Sequence, residues 1–300
     1  MNETEALVSG PGAEAEGAAP VPPAPRRRPK PIQFLPTAVT LGNLFSGFLA
    51  IAYLTDSMHV DAGDAAARVE LYKSAMLWIV LAMVFDAFDG KIARMTGAAS
   101  DFGAQIDSLS DVVSFGAAPA LLFKVMVEAE PGVVPPKLAV TLAVVYLACA
   151  ALRLARFNVE TDLSEEAHRS FKGLPSPAAA AAVLAVAYAN LSLDPARGQS
   201  WLRYAMPVLT PLFGFLMVSR APYIHVANRL FGGGIRFRTL VALIFLVALV
   251  LAAPEIFVPL AVLLYVASGP IEWLRRRSRR TREPRPSGVV DEDDDEEALV

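Results

Sequence analysis

Between positions 37 and 273 the chain is a succession of apolar runs, each about as long as a bilayer is thick. Nothing else in the sequence restricts its fold so strongly. A helix needs about 20 mostly apolar residues to cross a membrane. In lipid only helices and closed barrels satisfy their own backbone. The runs lie near 37–55, 72–94, 104–127, 138–156, 175–193, 203–219, 238–253 and 255–273. They are long and rich in Ala and Leu, with no period-2 alternation, so the barrel is excluded. The expected fold is therefore all-α: a polytopic transmembrane helical bundle of about eight spans. The last two runs are separated only by Ala253-Pro254-Glu255, where Pro254 breaks the helix. Six spans is the alternative, if those two form a re-entrant pair.

Composition agrees. The chain is 54% hydrophobic and 19% charged, with a mean hydropathy of +0.44. Soluble domains run about 45–50% apolar and about 25% charged. An ordinary soluble enzyme, a disulfide scaffold and a wholly disordered chain are excluded. The single cysteine, Cys149, sits in an apolar run and is expected to be a small buried residue.

Charge orients the bundle. With the N-terminus inside, alternation puts Arg26, Arg27, Arg28, Lys30, Lys91, Arg94, Arg153, Arg156, Arg169, Lys172, Arg220, Arg229, Arg236, Arg238 and the Arg275–Arg282 block on the cytoplasmic side. The other side receives only Arg68, Lys73, Lys137, Arg197 and Arg203. Cytoplasmic segments carry the excess of Lys and Arg, so both termini are expected in the cytoplasm. Residues 1–32 read as a disordered tail ending in a basic, membrane-proximal cluster, without the apolar segment of a signal peptide. Residues 33–275 form the transmembrane domain. Residues 276–300 read as a second disordered tail, basic and then acidic over Asp291–Glu297.

Four carboxylates interrupt this apolar pattern. Asp86 and Asp89 close the second run; Asp107 and Asp111 open the third. Each ionisable group in a membrane costs about 2.5–3.5 kcal/mol even on the lenient insertion scale. Spacings of i, i+3 and i, i+4 put each pair on one helix face. The link between the two runs is short, so they fold back as a hairpin and the pairs meet at one depth. Carboxylate oxygens suit Mg²⁺, Mn²⁺ or Ca²⁺, and the absence of His or Cys nearby disfavours zinc. Four anions also permit two ions, the arrangement that clamps phosphoryl displacement. The neighbours suit a phosphate substrate. Gly90 and Ala93 leave the helix surface bare, and Gly103 opens the facing helix. Arg94 is placed to meet a phosphate with its two-pronged guanidinium. Thr96 and Ser100 in the link add hydrogen-bond donors.

These residues read Asp86-x2-Asp89-Gly90-x2-Ala93-Arg94-x8-Gly103-x3-Asp107-x3-Asp111. The pattern resembles the signature of the CDP-alcohol phosphatidyltransferase family at every fixed position. The stretches Pro36-x3-Thr40-x2-Asn43-x3-Gly47, Asp111-Val112-Val113-Ser114-Phe115-Gly116-x2-Pro119, Arg153-Leu154-Ala155-Arg156-Phe157-Asn158 and Phe171-x-Gly173-Leu174-Pro175-Ser176-Pro177 resemble its serine-accepting branch. The similarity covers roughly residues 33–275. It implies a helical, integral-membrane and dimeric enzyme of the inner cell membrane, dependent on Mg²⁺ or Mn²⁺, with its active site at the cytoplasmic face. It implies transfer of a phosphatidyl group from CDP-diacylglycerol to the L-serine hydroxyl, with release of CMP. By the same resemblance Asp86, Asp89, Asp107 and Asp111 hold the metals, and Asp111 is also the base. Gly90, Arg94 and Ser100 hold the CDP moiety, and Thr40 and Asn43 close it from the first span.

Other features admit plainer accounts. Arg153, Arg156 and Lys172 serve either as positive-inside anchors or as holders of a substrate anion, and Asn158 is a candidate for orienting the serine ammonium. His59, His168 and His225 read as solvated loop residues. Gly232-Gly233-Gly234 reads as a hinge, the Ala-rich stretch 178–187 as a close helix-packing surface, and Pro175 and Pro177 as the start of the fifth span. Two other functions compete. One keeps the chemistry but takes glycerol 3-phosphate or an inositol phosphate as acceptor. The other is a cation transporter with an acidic intramembrane site, which leaves Gly90, Ala93 and Arg94 without a purpose. Membrane lipids are expected partners; nucleic acid is not.

Overall fold

The structure is a computed structural model that describes residues 34–61, 63–96, 101–130, 132–163, 173–192, 202–223 and 252–280. Among these the chain is helical, with no strand. The helices are α1 (Phe34–Ser57), α2 (Ala65–Thr96), α3 (Asp101–Asp111), α4 (Ala118–Glu128), α5 (Pro136–Leu163), α6 (Ser176–Ser192), α7 (Leu202–Val218) and α8 (Pro254–Arg280). A π-helical segment, Val112–Ala117, joins α3 to α4 without a break. Seven of the eight apolar runs thus fall on helices; the run 238–253 lies outside the described residues except for its last two, as do the first tail and the second beyond Arg280, while residues 276–280, expected in the disordered tail, continue α8. Among the described residues, five stretches are long and apolar enough to cross a membrane: Thr37–Ser57, Ala65–Ile92, Phe102–Glu128, Pro136–Val159 and Pro254–Arg275. At 17 residues each, α6 and α7 are shorter, about 26 Å at 1.5 Å per residue.

Local chemistry sets the helix ends. Asp64 caps α2: its carboxylate accepts the Ala67 N–H at 3.0 Å, satisfying one of the orphan donors of the first turn. Pro136 opens α5, a position where the missing N–H costs nothing. Before α6 the chain turns at Gly173, whose φ is +93°, a value that L side chains avoid. The Gly173 and Leu174 amides donate to Ala221 O and Leu216 O, both at 2.9 Å. A side chain at Gly173 would run into the Met217 and Ser219 carbonyls. The Gly173-Leu174-Pro175 stretch thereby ties the entry of α6 to the end of α7.

The continuous helix through α3, the π segment and α4 is the axis of the bundle. Of its apolar window 72% is buried, against 17% for α8. Leu54, Ile79, Phe115, Leu122, Phe123, Tyr146 and Phe213 fill the interior around it. α1 packs along α2, α5 along α7, and α8 along α6. The Ala-rich face of α6 is buried at Ala179, Ala180, Ala182, Ala185, Ala187 and Ala189, as expected of a close-packing surface. Cys149 is buried and His59 is exposed, also as expected. The exterior is apolar: Phe45, Phe48, Leu77, Val144, Leu152, Val208, Phe215 and Leu264 are all exposed. Buried polar residues include Asn43, Ser46, Ser114, Asp89 and Asp111. An apolar exterior around an interior that also holds polar groups is the arrangement of a protein dissolved in lipid.

Candidate active site

The end of α2 and the start of α3 bring carboxylates together. Asp86 and Asp89 lie one turn apart on α2, and Asp107 faces them from α3. Each of the three offers an oxygen within 4.8 Å of the other two. Oxygens that share one hard cation at about 2.0–2.6 Å lie up to about 4–5 Å apart, so the spread is that of a common ligand shell. Two unit charges at such a distance repel by about 3 kcal/mol at an effective dielectric of about 20. The protein supplies few donors against this. The Thr40 side chain and the Gly90 backbone hydrogen-bond Asp89, but Asp89 Oδ2 and Asp107 Oδ1 are buried with no hydrogen-bond partner. Buried anionic oxygens without donors, in an all-oxygen set, fit a divalent cation.

Asp111 stands one turn beyond Asp107 and outside the convergent triplet. It is buried and within electrostatic reach of Asp86, Asp107 and Asp89. Its Oδ1 accepts from Asn43 Nδ2 at 3.0 Å; the opposite amide orientation would set oxygen against oxygen. A cationic influence comes from α5, where Arg153 is within electrostatic reach of Asp111 and Asp86. Its Nη1 donates to Ser176 Oγ at 3.3 Å, and its buried Nε has no partner. Asn158, also on α5, is engaged with α3. Ser108 Oγ lies 3.1 Å from Asn158 Oδ1 and 2.9 Å from Asn158 Nδ2.

The remaining expected residues fall as follows. Gly90 is exposed, and a Cβ there would meet nothing within 4 Å. Gly103 lies on α3, opposite the end of α2. Arg156 is on α5, one turn from Arg153. Ala93 and Arg94 are in the last turns of α2, with side chains outside the described residues; Ser100 and Lys172 lie outside them altogether. Thr40 and Asn43 are both buried against carboxylates, 5% and 0% exposed.

Sequence reasoning missed the supports of this site. Tyr146 donates to Phe115 O at 3.0 Å, and Ser114 donates to Asn43 O at 3.0 Å. Both act on the π segment that follows Asp111. Ser108 was likewise not singled out, and Ser114 and Ser176 stood in quoted stretches without a role. The signal for Ser108 was adjacency to Asp107; that for the π segment was Pro119, which has no N–H to give the Phe115 carbonyl in an α turn.

The sequence profile of the CDP-alcohol phosphatidyltransferase family matches residues 33–215, and the chain belongs to that family. Within it the similar curated proteins share one description. A CDP-diacylglycerol–serine O-phosphatidyltransferase of Methanocaldococcus jannaschii is 34% identical over 79% of this chain and 92% of its own. One from Helicobacter pylori is 28% identical over 81% and 92% respectively. One from Bacillus subtilis is 31% identical over 58% and 87%.

Proposed function

We propose that this chain transfers a phosphatidyl group from CDP-diacylglycerol to the hydroxyl of L-serine, giving phosphatidylserine and CMP. The observation that carries the chemistry is the meeting of Asp86, Asp89 and Asp107 beside Asp111 where two apolar helices end. The choice of acceptor rests on the relatives and on the serine-branch stretches. Asp86, Asp89, Asp107 and Asp111 would hold two divalent cations, Mg²⁺ or Mn²⁺. When bound, such ions supply Lewis-acid stabilisation of the charge that builds on the diphosphate.

The chain's own residues do the rest. Gly90 leaves an open helix face against which a diphosphate fits, and Arg94 grips it with two parallel N–H donors. Ser100 and Gly103 border the same approach. Asp111 takes the serine hydroxyl proton as the oxygen forms its bond to the lipid-side phosphorus. The bond from that phosphorus to the bridging oxygen breaks, and CMP leaves with the electron pair. Arg153, helped by Arg156 and Lys172, balances the serine carboxylate, and Asn158 orients the ammonium. Eight spans, both termini in the cytoplasm, a site at the cytoplasmic face of the cell membrane and a homodimer complete the proposal. The clustering of Lys and Arg on alternate loops supports this orientation.

The test is CMP release by purified protein from CDP-diacylglycerol with Mn²⁺ or Mg²⁺ across a panel of alcohols. Release with L-serine alone is expected. Release only with glycerol 3-phosphate or an inositol phosphate would keep the site and replace the acceptor. Metal flux into liposomes without nucleotide turnover would instead favour a transporter.

A further inference from the structure

We infer that Asn43 is the positioning residue for Asp111, and that Ser114 acts on Asp111 through Asn43. The inference rests on the proposed role of Asp111 and assigns Asn43 a part different from closing over CDP. Asn43 is fully buried on α1. Its Nδ2 donates to Asp111 Oδ1 at 3.0 Å. Its backbone carbonyl accepts from Ser114 Oγ at 3.0 Å. Ser114 lies three residues beyond Asp111, inside the π segment. The contacts form a closed ring: α1 holds the carboxylate, and the segment that follows the carboxylate holds α1. Gly47 makes the ring possible, because a Cβ there would fall within 2.8 Å of Ser114 Cα.

The chemistry explains the arrangement. A carboxylate on a helix rotates freely about its last bond unless one oxygen is held. A donor on Oδ1 arrests that rotation and thereby places the second oxygen. An amide does this without adding a charge that would compete for the cations or the diphosphate. The cost is visible in Asn43 Oδ1, which is buried with no partner. A residue retained for packing alone would be apolar here. Loss of orientation at a reacting group by about 1 Å costs on the order of 100-fold.

The experiment compares the wild type, Asn43→Ala, Ser114→Ala and the double variant in detergent micelles, after wild-type turnover is established with whichever alcohol it accepts. That first step separates a wrong acceptor from a wrong Asn43. Asn43→Ala is expected to lower kcat by about thirtyfold or more, with KM for CDP-diacylglycerol within about twofold. Ser114→Ala should lower kcat less, at unchanged KM. Because Ser114 acts through Asn43, the double variant should be no slower than Asn43→Ala. Mn²⁺ affinity, read without any alcohol, should fall in Asn43→Ala and in the double variant alike. A raised KM for CDP-diacylglycerol at unchanged kcat would overturn the inference, as Asn43 would then contact the nucleotide. Multiplicative losses in the double variant, or unchanged kcat and Mn²⁺ affinity, would also overturn it. If Asn43→Ala is not recovered folded, Ser114→Ala alone decides: an unchanged kcat ends the proposal.

Discussion

At Gly90 and Gly47 the same substitution is expected to do opposite things. Gly90 sits inside α2 with open space where a Cβ would go. Alanine there removes the backbone-entropy cost of a helical glycine, about 0.5–1 kcal/mol. Gly90→Ala should therefore melt no lower than the wild type, yet lose at least tenfold in kcat/KM, because the methyl group stands where the diphosphate approaches. Gly47→Ala pushes α1 off Ser114 and should cost about 1–3 kcal/mol of stability. Thermal unfolding and CMP release, measured on both, check the pair; a destabilised Gly90→Ala would show that its face is packed. Arg94→Lys is a different kind of test. One ammonium replaces a two-pronged guanidinium, so KM for CDP-diacylglycerol should rise several-fold; an unchanged KM would remove Arg94 from the nucleotide site.

The helices make these residues meet, and one element does so by being irregular. The π segment Val112–Ala117 inserts a wider turn directly after Asp111, in the position where such bulges often serve function. Its Phe115 carbonyl is met by the Tyr146 hydroxyl at 3.0 Å. Tyr146→Phe leaves that buried carbonyl unsatisfied and should cost about 1–3 kcal/mol. Unfolding in detergent measures it; an unchanged midpoint would mean that the segment does not depend on α5. Within Val112-Val113-Ser114-Phe115-Gly116-Ala117 the propensities do not distinguish a π turn from an α turn; the local sign is Pro119, which cannot give the Phe115 carbonyl an α-helical N–H. The carboxylate pairs, by contrast, were legible, because spacings of three and four residues fix a shared face. Their partners were not: Asn43 reaches Asp111 across 68 residues of sequence, and no local pattern encodes such a contact.

On the scale of the whole molecule, the exterior is apolar where a soluble protein's is polar, and that is what the apolar runs announced. Helix positions were legible from length and hydropathy. Packing order was not, because every span is apolar on most of its surface and periodicity does not choose its neighbour. The orientation can be tested with two single-cysteine variants in a Cys149→Ala background. Asp61→Cys, in the exposed turn before α2, should react with a membrane-impermeant thiol reagent on intact cells. Met95→Cys, exposed in the last turn of α2 beyond Asp86 and Asp89, should react only after permeabilisation. The reverse pattern would put the site on the outer face.

The most direct measurement follows labelled L-serine into lipid, using protein stripped of metal by a chelator. With CDP-diacylglycerol present, no product should form until Mn²⁺ or Mg²⁺ is returned. Phosphatidylserine and CMP should then appear one for one. Asp111→Asn should remain folded in the membrane and form neither. Product without added metal, wild-type rates in Asp111→Asn, or CMP without phosphatidylserine would contradict a metal-dependent transfer to serine at this site.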